Sequence, residues 1–288
     1  MEVKKFKKVL TEQQGHELLK KHIGEEYIQT LITSDTDGYD MYGNLLFKFR
    51  KNVIPIKTLK QGVDNFRHSI EWTESRGAAS GFSGKRIRKD GSVSNITVGK
   101  HVESGAVGYM DKSAMIKYCR KTAFTRNYFD KYKGGLPFVQ FVDKQYKELC
   151  PTYYKRQKNI AEATNQNYVI GDTSFTTVTV NKNFRTAVHK DSGDFTEGFG
   201  NLIAYREGDW SGGYFMLPEY GVGIDLQNTD ILFVDVHKYH CNTNFINFNE
   251  HSLRISFVLY YREYMYNCKA PKDELKRVKI EQGGYNRL

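Results

Sequence analysis

His189-Lys190-Asp191, a second histidine at position 240 and the pair Arg254 and Ser256 are the residues whose types and order could do chemistry. In an HxD step on a strand or its extended exit, the two side chains project to the same side. A distal histidine from another strand, His240, would complete three donors on one face of an octahedral ion. The remaining positions stay open for a co-substrate and O2. Imidazole and carboxylate donors in that number suit non-haem Fe(II) better than a closed, four-ligand structural zinc site. Arg254 lies 14 residues beyond His240 in the strand-like run RISFVLYY. A buried guanidinium there can bind a carboxylate through two parallel hydrogen bonds, and Ser256 points the same way with a hydroxyl. The set is therefore expected to hold Fe(II) through His189, Asp191 and His240 and to anchor 2-oxoglutarate on Arg254 and Ser256. His237, three residues before His240, is a competing ligand, although the HCNT step after the strand favours His240. His251 reads as a loop residue, and His16, His22, His68 and His101 as structural or solvent-facing.

These residues need a scaffold of strands, and the text supplies one. From about residue 174 the apolar pattern shortens to strand-like runs: 174–180, 200–206, 213–219, 221–226, 230–236 and 253–261, separated by Gly, Asn and Asp turns. Many short strands at this spacing predict a sandwich or barrel, a jelly roll among the candidates. Upstream, a capping box at Thr11 and Gln14 with Leu19, Ile23, Tyr27 and Leu31 predicts a helix near 11–32. Strand-like text follows at 44–56. Residues 76–100, rich in Gly, Ser and basic side chains, read as an exposed, mobile loop. Pro137 is expected to open a helix over 137–149. The charged tail after Arg262 reads as a helix or a frayed end.

The balance of 43 Lys plus Arg against 33 Asp plus Glu leaves a formal charge of +10. That favours a polyanionic partner, nucleic acid first. The 20 Tyr and 18 Phe agree with a β-rich chain. Cys119, Cys150, Cys241 and Cys268 are widely spaced without a CxxC pair and are expected as free thiols in a reducing compartment. No apolar run reaches the roughly 18 residues of a membrane helix, and MEVKKFKKVL leads into no signal-peptide core. The expectation is a soluble protein, cytoplasmic or associated with the nucleoid or nucleus, not secreted.

Longer stretches carry a resemblance. FTTVTVNKNFRTAVHKDSGD (175–194), ILFVDVHKYHCNT (231–243) and RISFVLYYRE (254–263) resemble the TET/JBP family of oxygenases acting on 5-methylpyrimidines in DNA. GAVGYMDK (105–112) and residues 119–157 look like the helical segment preceding the core in microbial and fungal members, so the resemblance covers about 100–265. It implies an α+β chain with a double-stranded β-helix (jelly-roll) core supported by N-terminal helices. It also implies Fe(II), 2-oxoglutarate and O2, and a base flipped out of DNA for oxidation of its 5-methyl group to hydroxymethyl or beyond. Carried over by motif, His189, Asp191 and His240 match the iron ligands and Arg254 and Ser256 the 2-oxoglutarate clamp. Asp194 matches a position that hydrogen-bonds the flipped base, Tyr260 an aromatic that stacks on it, and Arg185 a residue near the co-substrate or a phosphate.

One position departs from the pattern. Where cytosine-directed members carry a base-reading histidine, this chain has Arg262, a pure donor suited to carbonyl oxygens of a pyrimidine. An ionised Asp194 would accept from either base, so thymine and 5-methylcytosine both stay open. The basic residues Lys85, Arg86, Arg88, Lys89 and Lys100 are candidates for phosphate contacts, with Lys117, Arg120, Lys121, Arg126, Lys131 and Lys133 a second cluster. The expected organisation is an N-terminal helical or extended region with a basic Gly-rich loop over 1–120, the oxygenase core with its preceding helices over 121–266 and a tail over 267–288. A monomer acting on DNA is expected. The alternatives are a 2-oxoglutarate oxygenase of a free nucleotide, protein or small metabolite, and a non-catalytic nucleic-acid-binding module.

Overall fold

The computed structural model describes residues 1–74, 76–113 and 116–282. A ten-stranded sheet runs in the spatial order Glu2–Phe6, Thr36–Asp40, Leu45–Arg50, Ile231–Val234, Gly200–Glu207, Leu253–Tyr260, Thr177–Lys182, Val102–Met110, Glu71–Thr73, with Arg120–Lys121 also pairing Val102–Met110. Its pairs are antiparallel except the first. A second sheet of four short strands (Cys241–Asn242, Phe215–Leu217, Val222–Ile224, Thr30–Ile32) packs Phe215, Leu217, Val222 and Ile224 against Phe47, Phe49, Leu232 and Val234 of the first. Two sheets with antiparallel crossings around a shared interior give the jelly-roll core. Strands from before residue 111 thus complete a sheet built from the C-terminal half.

The strand Leu253–Tyr260 shows how a period of two divides the molecule. Ile255, Phe257 and Leu259 face the main core, where Phe66, Phe138, Val142 and Tyr146 of the helices cover the sheet. Arg254, Ser256, Val258 and Tyr260 project to the opposite side and line a cavity between the sheets. Fully burying one such Phe contributes about 1.5–3 kcal/mol, so the apolar face fixes the register and with it the direction of every polar residue on the other face. The helices sit close because glycines let them. A Cβ on Gly62 would lie 2.7 Å from the Phe138 ring, and one on Gly135 2.1 Å from that of Phe66.

Several expectations need correction. The capping box of Thr11 and Gln14 is present, but the helix spans only Glu12–Glu17. Lys20 then takes a left-handed φ of 66°, and the chain continues through a 3-10 turn at Glu25–Tyr27 into the strand Thr30–Ile32. Leu18 and Ile23 bury singly against Val188, Met216, Tyr239 and Cys241 instead of as a helical stripe. Strand text at 44–56 resolves into the strand Leu45–Arg50 and a helix Ile56–Phe66 behind Pro55. The helix expected from Pro137 already starts at Phe129 and runs to Leu149 with Pro137 inside it, and Pro151 opens the next, Pro151–Ala163. Residues 76–100 are not a loop: Phe82–Ile87 and Val93–Gly99 pair as a β-hairpin. Cys119 and Cys268 form a disulfide, correcting the expectation of four free thiols, while Cys150 and Cys241 are free and buried. The tail forms the helix Pro271–Gln282. Among the described residues no helix is long and apolar enough to cross a membrane.

Candidate active site and metal centre

His189 follows the strand Thr177–Lys182 and meets His240 across the two sheets in an isolated antiparallel bridge. The backbone amide of His189 donates to the His240 carbonyl at 3.0 Å, and that of His240 returns the bond at 2.9 Å. The Asp191 amide is fixed on the Val236 carbonyl at 3.0 Å. These main-chain bonds bring one nitrogen or oxygen of each residue within 4.8 Å of the others, a group that could hold a metal ion. The Nε2 atoms of His189 and His240 lie 3.5 and 3.6 Å from the two oxygens of Asp191.

The opposite ring nitrogens are already committed. His189 Nδ1 contacts the Ala187 carbonyl at 2.8 Å, and His240 Nδ1 the Lys238 carbonyl at 3.0 Å. Donation from Nδ1 to a carbonyl sets the tautomer with a free lone pair on Nε2, the arrangement a metal-ligating histidine requires. Burial, reinforced by the charge of His240, holds the His189 imidazole down to about 4, so it is neutral at pH 7. Burial pushes the Asp191 carboxyl up, but the neighbouring His240 and His189 rings outweigh it and bring it to about 2. Two imidazoles and one carboxylate are the donor set expected for Fe(II).

The cavity has a volume of about 430 Å³, within the range of small-molecule sites. Arg254 stands in its wall, buried, its amide donating to Asn183 Oδ1 at 2.8 Å. Among the described residues its guanidinium has no carboxylate partner; the Phe245 ring lies 5.9 Å away. Burial first, and then the neighbouring Arg206, bring it down to about 10, still cationic at neutral pH. An unneutralised buried cation is costly, and a ligand carboxylate would offset that cost. Ser256, two residues on, faces the same cavity within 3.5 Å of Asn181 Nδ2. The cavity thus holds an anion-seeking guanidinium and a hydroxyl in the same space as the metal group.

The other expected residues divide. Asp194, Tyr260 and Arg262 all line the same cavity. Tyr260 shares a hydrogen bond with Thr179 Oγ1 at 3.2 Å. Asp194 Oδ2 is buried without a partner, and burial together with the charge of Asp191 pushes this carboxyl well above the carboxylate range. An ionised carboxylate only accepts, whereas a protonated carboxyl both donates and accepts. Arg262 is held by a 2.6 Å ion pair from its Nε to the buried Asp111. The structure does not bring Arg185 to this cavity. Its guanidinium donates to the Ile23 carbonyl at 2.7 Å and lines a separate, smaller cavity. His237 bonds to Asp235 at 3.0 Å and lies outside the metal group, and His251 is exposed.

Sequence reasoning missed two participants. Asp111 lies inside GAVGYMDK, which carried part of the resemblance without a role for this aspartate. Arg76 also lines the cavity, with one guanidinium nitrogen donating to the Gly105 carbonyl at 2.9 Å and its Nε buried without a partner. No local pattern marked it.

Comparison with known proteins agrees with this geometry. The Tet_JBP family model, described as the oxygenase domain of the 2OGFeDO superfamily, matches residues 105–263. The thymine dioxygenase JBP1 of Trypanosoma brucei brucei is 34% identical over 186 residues, which cover 59% of this chain and 22% of that protein. The bifunctional helicase and thymine dioxygenase JBP2 of Trypanosoma cruzi (strain CL Brener) is 38% identical over 163 residues, 56% of this chain and 15% of that protein. The chain thus spans less than a quarter of the length of these curated relatives. Among solved structures, NgTET1 in complex with 5mC DNA shares the fold, with a TM-score of 0.60 at 17% identity over 87% of this chain and 86% of that one. The superfamily's cofactors are Fe(II), 2-oxoglutarate and O2, and the His-Asp-His group fits them. The family match spans more than half of the sequence, and the chain belongs to the Tet_JBP family of oxygenase domains in the 2OGFeDO superfamily.

Proposed function

We propose that the chain is a 2-oxoglutarate- and Fe(II)-dependent dioxygenase that oxidises the 5-methyl group of a pyrimidine in DNA to hydroxymethyl. His189, Asp191 and His240 would hold the iron, and Arg254 with Ser256 the far carboxylate of 2-oxoglutarate. When bound, that pair with O2 supplies an oxidant for a methyl C–H bond, 2-oxoglutarate leaving as succinate and CO2. A single observation carries the substrate reading: the cavity that contains the metal group also contains an aromatic ring, Tyr260, and a half-buried carboxyl, Asp194, whose buried Oδ2 has no partner among the described residues.

The roles follow from chemistry. The Tyr260 ring offers a face for a base to stack on. Protonated Asp194 would accept from N3–H and donate to a carbonyl oxygen of thymine, or accept from N4 and donate to N3 of cytosine. Asp111 engages Arg262, so base reading falls chiefly to Asp194. The names of the relatives at 34% and 38% identity favour thymine first. A base in a duplex cannot reach such a cavity without leaving the stack, at a cost of a few kcal/mol. The net charge of +10 supports DNA as the polyanion that binds and offsets this cost.

Incubation with Fe(II), 2-oxoglutarate and duplexes carrying thymine or 5-methylcytosine, with nucleosides read by mass spectrometry, tests the proposal. A 5-hydroxymethyl product from either base is expected. Oxidation of free nucleotide with neither duplex modified would overturn the DNA substrate.

A further inference from the structure

We propose that the hairpin of Phe82–Ile87 and Val93–Gly99 is a DNA-entering ribbon whose paired Ile87 and Val93 fill the gap left in the base stack by the extruded nucleotide. The inference rests on the DNA reading above and adds an element to it.

The hairpin is a two-stranded sheet joined to no other strand among the described residues. A ribbon of that kind gains little from a core of its own. Ile87 and Val93 are nevertheless direct cross-strand partners, 70% and 61% exposed. Partners directly opposite each other put their side chains on one face, so the two form a single apolar ridge. In a free hairpin such a ridge stabilises nothing and invites aggregation. Its surroundings are cationic: Lys85, Arg86, Arg88 and Lys89 are exposed beside it. The only acid in the turn, Asp90, is occupied by the amide and hydroxyl of Ser92 at 3.0 and 2.7 Å. A ridge that is apolar at its crest and basic on its flanks matches a duplex, apolar within the stack and anionic along its edges.

Position argues the same way. The turn Gly77–Ser80 leads directly into the hairpin, and Gly77, Ala78 and Ala79 line the cavity of the metal group. The Ala79 carbonyl accepts from the Ala187 amide at 2.8 Å, two residues before His189, so the base of the ribbon is fastened to the site. From Phe82 to Ile87 an extended strand rises about 17 Å. The ridge thus stands well out from the cavity rim. The major groove admits a two-stranded ribbon, and apolar side chains placed between base steps are a known means of holding a duplex open. Phosphates on either side would meet the four cations.

The test compares two duplexes, one with the target pyrimidine paired and one with it opposite an abasic site, where extrusion is already eased. The ratio of turnover on the first to turnover on the second should fall by at least about tenfold in the full chain carrying Ile87→Ser and Val93→Ser. Ile87→Leu should restore most of the ratio. Arg86→Ala with Arg88→Ala should instead weaken binding to both duplexes alike and reduce the salt slope of log Kd by about 2. Equal losses on both duplexes, or no loss on either, would overturn the wedge while leaving the DNA reading intact. A shift in oligomeric state with an unchanged ratio would make the ridge a self-association surface and also overturn it. Failure of the unmodified chain to oxidise either duplex would overturn the DNA reading itself, and the wedge with it.

Discussion

His189 and His240 are tied to each other twice, amide to carbonyl in both directions, with their ring centroids 4.2 Å apart. The two imidazoles are thus positioned by backbone bonds before any ion arrives, and Asp191 is the only charge between them.

Replacing that charge separates metal binding from folding. Asp191→Ala should lower affinity for Fe(II), or for Mn(II) as a spectroscopic substitute, by at least about a hundredfold and abolish succinate formation. The histidine bridge is made of main chain, so far-ultraviolet circular dichroism should not change. Calorimetric titration with the metal reads the first effect. Retention of 2-oxoglutarate turnover would show that another residue completes the ligand set.

Arg254 makes an opposite pair of predictions for stability and binding. Its guanidinium is buried with no acid beside it among the described residues. Arg254→Met should therefore stabilise the ligand-free protein by about 1 kcal/mol or more, a Tm rise of roughly 2 °C. The same change should weaken 2-oxoglutarate by about 2–5 kcal/mol, since the ligand carboxylate loses its charged partner. Thermal melts with and without 2-oxoglutarate test both halves. A variant less stable than the parent without ligand would show that the arginine already has a favourable partner in the fold.

Arg262 and Asp111, 151 residues apart in the chain, form a short pair at the wall of the cavity. Asp111→Ala leaves that guanidinium without its acid and should cost about 3–5 kcal/mol of stability, read from denaturant midpoints. Arg262 is also the cation that opposes the raised pKa of Asp194. Freed from Asp111, it is expected to turn to Asp194 and occupy the group proposed to read the base. Turnover on DNA should then fall further than uncoupled consumption of 2-oxoglutarate, and equal losses would show that Asp194 does not read the base.

What the chain discloses before folding depends on whether the cause is local. The residues that gather in the cavity were legible because HxD, a distal histidine and Arg-x-Ser are chemically demanding types, and because strand alternation places Arg254, Ser256 and Tyr260 on one face. The helix Ile56–Phe66 was not read, although Leu59, Gly62, Val63 and Phe66 recur at helical spacing, because Pro55 and the preceding strand masked it. The hairpin at 82–99 buries so little that no apolar alternation announces it. The Arg262–Asp111 pair, the arrival of Arg76 and the Cys119–Cys268 bond are products of tertiary folding, and spacing along the chain carries no record of them.

The disulfide closes a loop of 149 residues and ties the segment before the helix Ala123–Asn127 to the C-terminal end of the core. Loop-closure entropy assigns such a crosslink about 5 kcal/mol. Cys268→Ser, or reduction by dithiothreitol, should lower the denaturant midpoint accordingly, with metal affinity unchanged because no ligand lies near either sulfur in sequence. A midpoint insensitive to reductant would show that packing of the Pro271–Gln282 helix, whose buried Glu274 accepts from the Cys119 amide at 3.2 Å, already holds the two ends together.

Asp143 gives a pH dependence of known sign. It is a buried residue of the helix Phe129–Leu149, accepting from the amide and hydroxyl of Ser174 at 2.7 and 2.6 Å and from Tyr154 at 3.2 Å. Burial raises its pKa, and the Ser174 bonds, Lys158 and Tyr154 only partly oppose the rise. A carboxyl whose folded pKa exceeds its unfolded value of about 4 binds its proton more tightly when folded. Its contribution to stability is therefore full at lower pH and is lost as pH climbs through the folded value. Asp143→Asn keeps an acceptor for Ser174 but cannot ionise. The stability of the parent relative to this variant should decline as pH rises from about 4 towards 7, measured by urea midpoints at fixed ionic strength. A difference that stays constant over that range would show that burial does not govern this carboxyl, and that the Ser174 hydrogen bonds keep it ionised.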